Sequence, residues 1–86
     1  MKVSVYDTYV PKKDNVIMHF DILVEENTSQ EKVYEYGKLY LENKGMPNSK
    51  LTTSECNFCH IEVAPENVQN EIMSKGFFII EMENCN

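Results

Sequence analysis

The sequence has no arginine and no tryptophan. Its eight cationic residues are all lysines, set against fourteen carboxylates, for a formal net charge of −6. Without a guanidinium there is no planar fork to read phosphates or guanine edges, and the acidic balance repels polyanions. Neither nucleic acid nor an anionic membrane is expected as a partner. Long apolar runs are missing too, and nothing resembling an apolar leader precedes the strand-like start at Met1–Asp7. A cytoplasmic location is therefore expected. A reducing compartment keeps thiols free, so an odd set of three cysteines favours metal binding, redox work or simple burial over a structural disulfide.

What is present fits a single domain over residues 1–86 with a modest core. In so small a domain a metal or cross-link would weigh more heavily than in a larger one. Lys2–Val10 alternates as a strand. Val16–Glu25 alternates more clearly, with Val16, Met18, Phe20, Ile22 and Val24 on one face and Ile17, His19, Asp21 and Leu23 on the other. The intervening Pro11–Asn15 loop predicts an antiparallel hairpin. Thr28-Ser29-Gln30-Glu31 has capping-box spacing ahead of a helix running to Asn43, with Gly45 as its left-handed stop. Val33, Tyr36, Gly37, Tyr40 and Leu41 form the buried stripe, where Gly37 predicts a close approach of helix to sheet.

Met46–Ser49 reads as a loop, Lys50–Thr53 as an optional short strand, and Thr53–Glu55 as the start of one helical turn carrying Cys56 and Cys59. Pro65 opens a second helix that buries Val68 and Ile72, pairs Glu71 with Lys75 and stops at Gly76. Phe77–Glu83 is the last strand. The order β-β-α-(β)-α-β predicts an α+β fold: a two-layer sandwich with a mixed sheet of three to four strands and both helices on one face. Two helices on one face leave the other under-covered. Tyr6, Ile17, Leu23, Phe77 and Ile79 are expected on that second face, covered by the cysteine segment or by a second copy in a homodimer.

The chemistry concentrates in Glu55-Cys56-Asn57-Phe58-Cys59-His60-Ile61-Glu62. One reading is a zinc site of Cys56 and Cys59, completed by His60 or His19 and by Cys85, with Asp21 and Glu62 orienting the ligands. A second has the cysteines filling space and His60 bonded to a carboxylate or carbonyl. A third is a thiol–disulfide pair at Cys56/Cys59, opposed by the flanking Glu55 and Glu62, which disfavour a thiolate. Covalent haem, whose attachment signature Cys56-x-x-Cys59-His60 matches literally, is set aside because attachment belongs to exported proteins. No catalytic set or phosphate loop is present. The residues point to a small non-enzymatic binding or interaction module able to hold zinc. The alternative is a thiol redox protein or small enzyme using Cys56/Cys59.

Val5-Tyr6-Asp7-Thr8-Tyr9-Val10, Met18-His19-Phe20-Asp21, Glu55-Cys56-Asn57-Phe58-Cys59-His60, Ala64-Pro65 and Ile80-Glu81-Met82-Glu83 with Cys85 follow in this order. Together they resemble a small bacterial family catalogued only as a domain of unknown function, the one numbered two thousand and twenty-four. The resemblance spans nearly the whole chain and implies a compact α/β domain standing alone in bacterial cytoplasm. It brings no activity, cofactor or catalytic residue to carry over. Where the family pattern ends in Gly-Cys, this chain has Asn84-Cys85.

Overall fold

Strict apolar–polar alternation builds the central hairpin. The computed structural model describes residues 1–47 and 49–86. In it β1 (Lys2–Pro11) and β2 (Ile17–Glu25) pair antiparallel, with Val3 opposite Glu25 and Pro11 opposite Ile17. A 3-10 turn over Lys13–Asn15 joins them. α1 (Gln30–Asn43) follows, then β3 (Cys56–Val63), α2 (Glu66–Lys75) and β4 (Phe77–Glu83). The strands form one four-stranded sheet in the order β3-β1-β2-β4.

The fold is α+β, as expected, with differences in detail. Every strand pairing is antiparallel, so the sheet is not mixed. Lys50–Thr53 forms no strand. Residues 52–55 make a tight turn, closed by Cys56 N donating to Thr52 O at 2.9 Å, and β3 begins at Cys56 in place of the expected helical segment. The loop expected over Met46–Ser49 contains Asn48, which lies outside the described residues. Ser29, one residue later than the capping box implied, caps α1 by accepting from Lys32 N at 3.2 Å.

The helices lie on opposite faces, not on one. Val33 and Leu41 of α1 pack on Tyr6, Val10, Met18, Phe20, Ile22 and Val24. Val68 and Ile72 of α2 pack with Val3, Val5, Leu23 and Phe78, which alternate onto the other side of the same strands. Chain direction explains the different reach of the two helices. β2 and β3 are both antiparallel to β1 and hence run parallel to each other, so α1 must travel back along the strands. β3 and β4 run in opposite directions, so α2 starts and ends at the same end of the sheet. Its ten residues extend about 15 Å, close to the three strand spacings from one edge to the other. α2 therefore crosses the sheet at the Val3 end and leaves the far half of its face uncovered.

This arrangement dissolves the apolar face expected to be covered by the cysteine segment or by a second copy. Tyr6 belongs to the core beneath α1, where Phe77 and Ile79 also pack. Leu23 is buried beneath α2, and Ile17 alone of the five is exposed. Each strand's alternation was readable, but the parity between strands depends on a pairing register that the sequence does not display.

Gly37 meets its expectation: a Cβ there would run into Leu51 Cδ1 and lie 3.0 Å from Ile22 Cδ1, so α1 rests close on the sheet. Gly76 ends α2 at φ 97°, and a Cβ there would strike the Tyr36 hydroxyl. Gly76→Ala is expected to lower the unfolding free energy by about 1–2 kcal/mol through left-handed strain and displacement of Tyr36, measured by urea denaturation at pH 7.

Candidate metal centre

The uncovered half of the α2 face holds the polar cluster. Asp7 on β1 and Asp21 on β2 are directly opposite partners in the two central strands, and Tyr9 and His19 form the next same-face pair. Like charges directly opposite one another destabilise a sheet unless a counter-charge or proton intervenes. His19 Nε2 lies 3.8 Å from Asp7 Oδ1 and 3.7 Å from Asp21 Oδ1. Those gaps are too long for hydrogen bonds. They are near the edge of a ligand tetrahedron around a metal held at about 2.1 Å, roughly 3.4 Å. The ligand atoms of Asp7, His19 and Asp21 all fall within 4.8 Å of one another. His19 Nε2 and Asp21 Oδ1 are buried and have no hydrogen-bond partner among the described residues. The Tyr9 ring stacks on the imidazole at 4.1 Å and 11°, fixing the ring plane while leaving Nε2 toward the carboxylates.

β3 adds to this cluster through an irregularity. Its pairing with β1 shifts between Val5 and Tyr6: His60 stands opposite Val5, Phe58 opposite Tyr6, and Cys59 is the extra residue between them. In an unbroken strand His60 would point to the α1 face. The bulge returns it to the α2 face, beside Cys59. There His60 Nδ1 is 3.2 Å from Cys59 Sγ, and His60 Nε2 is 2.8 Å from Glu62 Oε1.

The electrostatics follow the geometry. Burial, then the neighbouring Asp7, pushes Asp21 up to about 6. The facing Asp21 carboxyl, ahead of His19, holds Asp7 below the usual carboxylate value, so the two carboxyls titrate as one unequal pair. Partial desolvation and the adjacent Asp7 raise the Cys59 thiol.

The residues expected to form one site are split between the two faces. Cys59, His60, Glu62, His19 and Asp21 gather on the open α2 face. Cys56 does not: it is fully buried in the core beneath α1, where the Thr8 hydroxyl donates to its sulfur at 3.4 Å. Burial raises its pKa. Three steps along a strand is an odd number, so Cys56 and Cys59 face opposite ways and their sulfurs cannot share an ion or a disulfide. Cys85 is buried in the α1-side core, its thiol donating to the His19 carbonyl at 3.3 Å. Asn84 adopts φ 57°, the turn a glycine would otherwise supply, and this brings Cys85 inward. Asp7 was absent from the expected ligand set. Folding the two hairpin strands about their loop would have found it, because that operation sets Asp7 against the His19–Asp21 stretch.

Comparison with known proteins agrees with this geometry at the level of fold. A family model described as a domain of unknown function (DUF2024) matches residues 1–82. The NMR structure of protein NE1680 from Nitrosomonas europaea is similar at 42% identity, covering 100% of both chains, with a TM-score of 0.86. No curated protein matches.

Because the folded-state value of Asp21 lies above the roughly 3.9 of an unfolded aspartate, its stabilising contribution is full below about pH 4 and lost as pH rises through 6. Asp21→Asn is therefore expected to melt about 3 °C above the parent at pH 7.5, the difference closing near pH 4, by thermal denaturation across that range. Cys59 is the exposed thiol and Cys56 and Cys85 are buried. Iodoacetamide should accordingly modify one thiol in the native protein, none in Cys59→Ser, and all three of the parent in urea, read by mass spectrometry.

Proposed function

The chain belongs to the DUF2024 family of domains of unknown function, and from that premise we propose that it is a small binding module holding one divalent cation of the zinc class. Asp7, His19 and Asp21 supply the ligands, two carboxylate oxygens and one imidazole nitrogen, a set suited to zinc. The observation that carries this reading is the pair of buried, unpartnered atoms, His19 Nε2 and Asp21 Oδ1, facing each other at 3.7 Å. A dication would satisfy both and offset the repulsion between the opposed carboxylates. Cys59 neighbours Asp7 but lies outside this set of three. Cys56 and Cys85 take no part. Exposed Tyr9, Ile17 and Ile80 around the cluster give a partner an apolar rim to rest on.

A second reading rests on the His60 contacts. A thiol, an imidazole at 3.2 Å and a carboxylate 2.8 Å beyond it form a nucleophile, base and orienting group on the solvent side of β3. This would make Cys59 alone, not a Cys56/Cys59 pair, the reactive thiol.

Protein purified without a histidine tag is expected to take up one equivalent of zinc and to melt lower after chelation. His19→Ala should weaken zinc binding by about a hundredfold, while Cys56→Ser binds as the parent does, by isothermal titration calorimetry. No uptake at micromolar zinc, or His19→Ala binding like the parent, would rule the centre out. For the second reading, His60→Ala should slow alkylation of Cys59 by about tenfold with zinc binding retained.

A further inference from the structure

Asp7, His19 and Asp21 approach their ion from one side only. Asp7 and Asp21 are directly opposite on β1 and β2, and His19 is two residues from Asp21, so all three side chains rise from one face of the sheet. A zinc-class ion takes four ligands, and a site with three protein ligands leaves the fourth position to an outside donor. No further Cys, His, Asp or Glu clusters with these three among the described residues. α2 packs at the Val3 end of this face and does not reach them. The opening is on the Asp7 side, since that side chain is 38% exposed against 15% for His19 and 14% for Asp21. Resting on the metal-centre reading, we propose that this open position takes the neutral imidazole of a histidine carried on an apolar segment of a partner protein.

The charges around the centre select the donor. Two carboxylates cancel a dication, so a neutral fourth ligand leaves the centre neutral and an anionic one leaves it negative. The neighbouring groups give a negative centre no relief. Glu83 stands opposite His19 on β4, and Glu62, on β3, is bonded to His60. Among the described residues no lysine pairs with Asp7, Asp21, Glu62 or Glu83. Lys12 is engaged elsewhere, donating to the Asn84 and Asn86 carbonyl oxygens at 3.0 Å each. A carboxylate or thiolate is thus disfavoured, and imidazole is the neutral side-chain donor suited to zinc. The same face says what carries the imidazole. Tyr9 pairs with His19, Ile80 pairs with Asp21, Ile17 is two residues from His19, and all three are exposed. They offer apolar surface to the residues flanking the incoming histidine. A second copy of this chain is a poor carrier, because it has the same net charge of −6 and its histidines are taken, one in the centre and one by Glu62.

The test uses the intact protein loaded with cobalt(II), a spectroscopic stand-in for zinc, at about pH 8, where free imidazole is neutral. One equivalent of cobalt should give visible d–d bands that His19→Ala lacks. Failure at this step removes the centre itself, and this inference with it. With the bands in place, imidazole should shift them saturably and acetate should not. A blocked Leu-His-Phe peptide should bind about tenfold tighter than imidazole, and Ile17→Ser should reduce that advantage. Equal responses to imidazole and acetate, or a peptide that binds no tighter than imidazole, would overturn the proposal while the centre stands. So would a thiolate-to-cobalt absorption in the near ultraviolet, which would mean that Cys59 closes the fourth position.

Discussion

The opposed directions of β3 and β4 govern the rest of this molecule. A connection between two strands that run the same way must return along the full length of the sheet, as α1 does between β2 and β3. A connection between strands of opposite sense need only step sideways, and ten helical residues are enough. One face is thus sealed by α1 and the other only at one end. Asp7, His19 and Asp21 lie where the second helix does not reach, held by the two central strands yet open on one side. Rigid central strands beneath a partly open surface suit a site that must hold its geometry without a lid.

The division of labour among the polar groups follows from their depth. Asp21 and His19 are sunk between β1 and β2, with side chains 14% and 15% exposed, whereas Cys59, His60 and Glu62 stand on the edge strand in solvent. Desolvation lifts the Asp21 pKa, and direct hydrogen bonds organise the edge trio. Buried groups left without protein partners are costly in any small domain, and both such atoms among the described residues lie on the same side of this sheet.

Much of this is legible in the sequence. The hairpin, both helices, the last strand, the close approach at Gly37, the left-handed stop at Gly45 and the helix end at Gly76 follow from periodicity and from glycine's freedom. Three features were not legible, each for a physical reason. Parity between strands depends on register, so Tyr6, Phe77 and Ile79 lie on the face opposite to the one expected of them. The segment carrying Cys56 and Cys59 has no clean alternation, because the bulge at Cys59 breaks its period of two, and it was read as a helical turn. The proximity of Cys56 and Cys59 in sequence suggested a shared ion, but an extended backbone separates residues three apart onto opposite faces, whereas a helix would have brought them together. The likeness to a family of unknown function was visible in the motifs and identified the fold without assigning any chemistry.

The bulge has a further effect on the behaviour of the protein in concentrated solution. β3 is an outer strand with exposed Phe58, Ile61 and Val63 and no lysine along its length, a combination that invites strands of other molecules to add on in register. An extra residue at mid-strand spoils that template, since an incoming chain would find its ladder interrupted after a few bonds. β4, the other outer strand, is interrupted in the same way opposite His19 and Phe20. Both borders of the sheet are thereby ill-suited to fibrillar growth, and the irregularity that turns His60 toward the cluster also helps the domain remain dispersed.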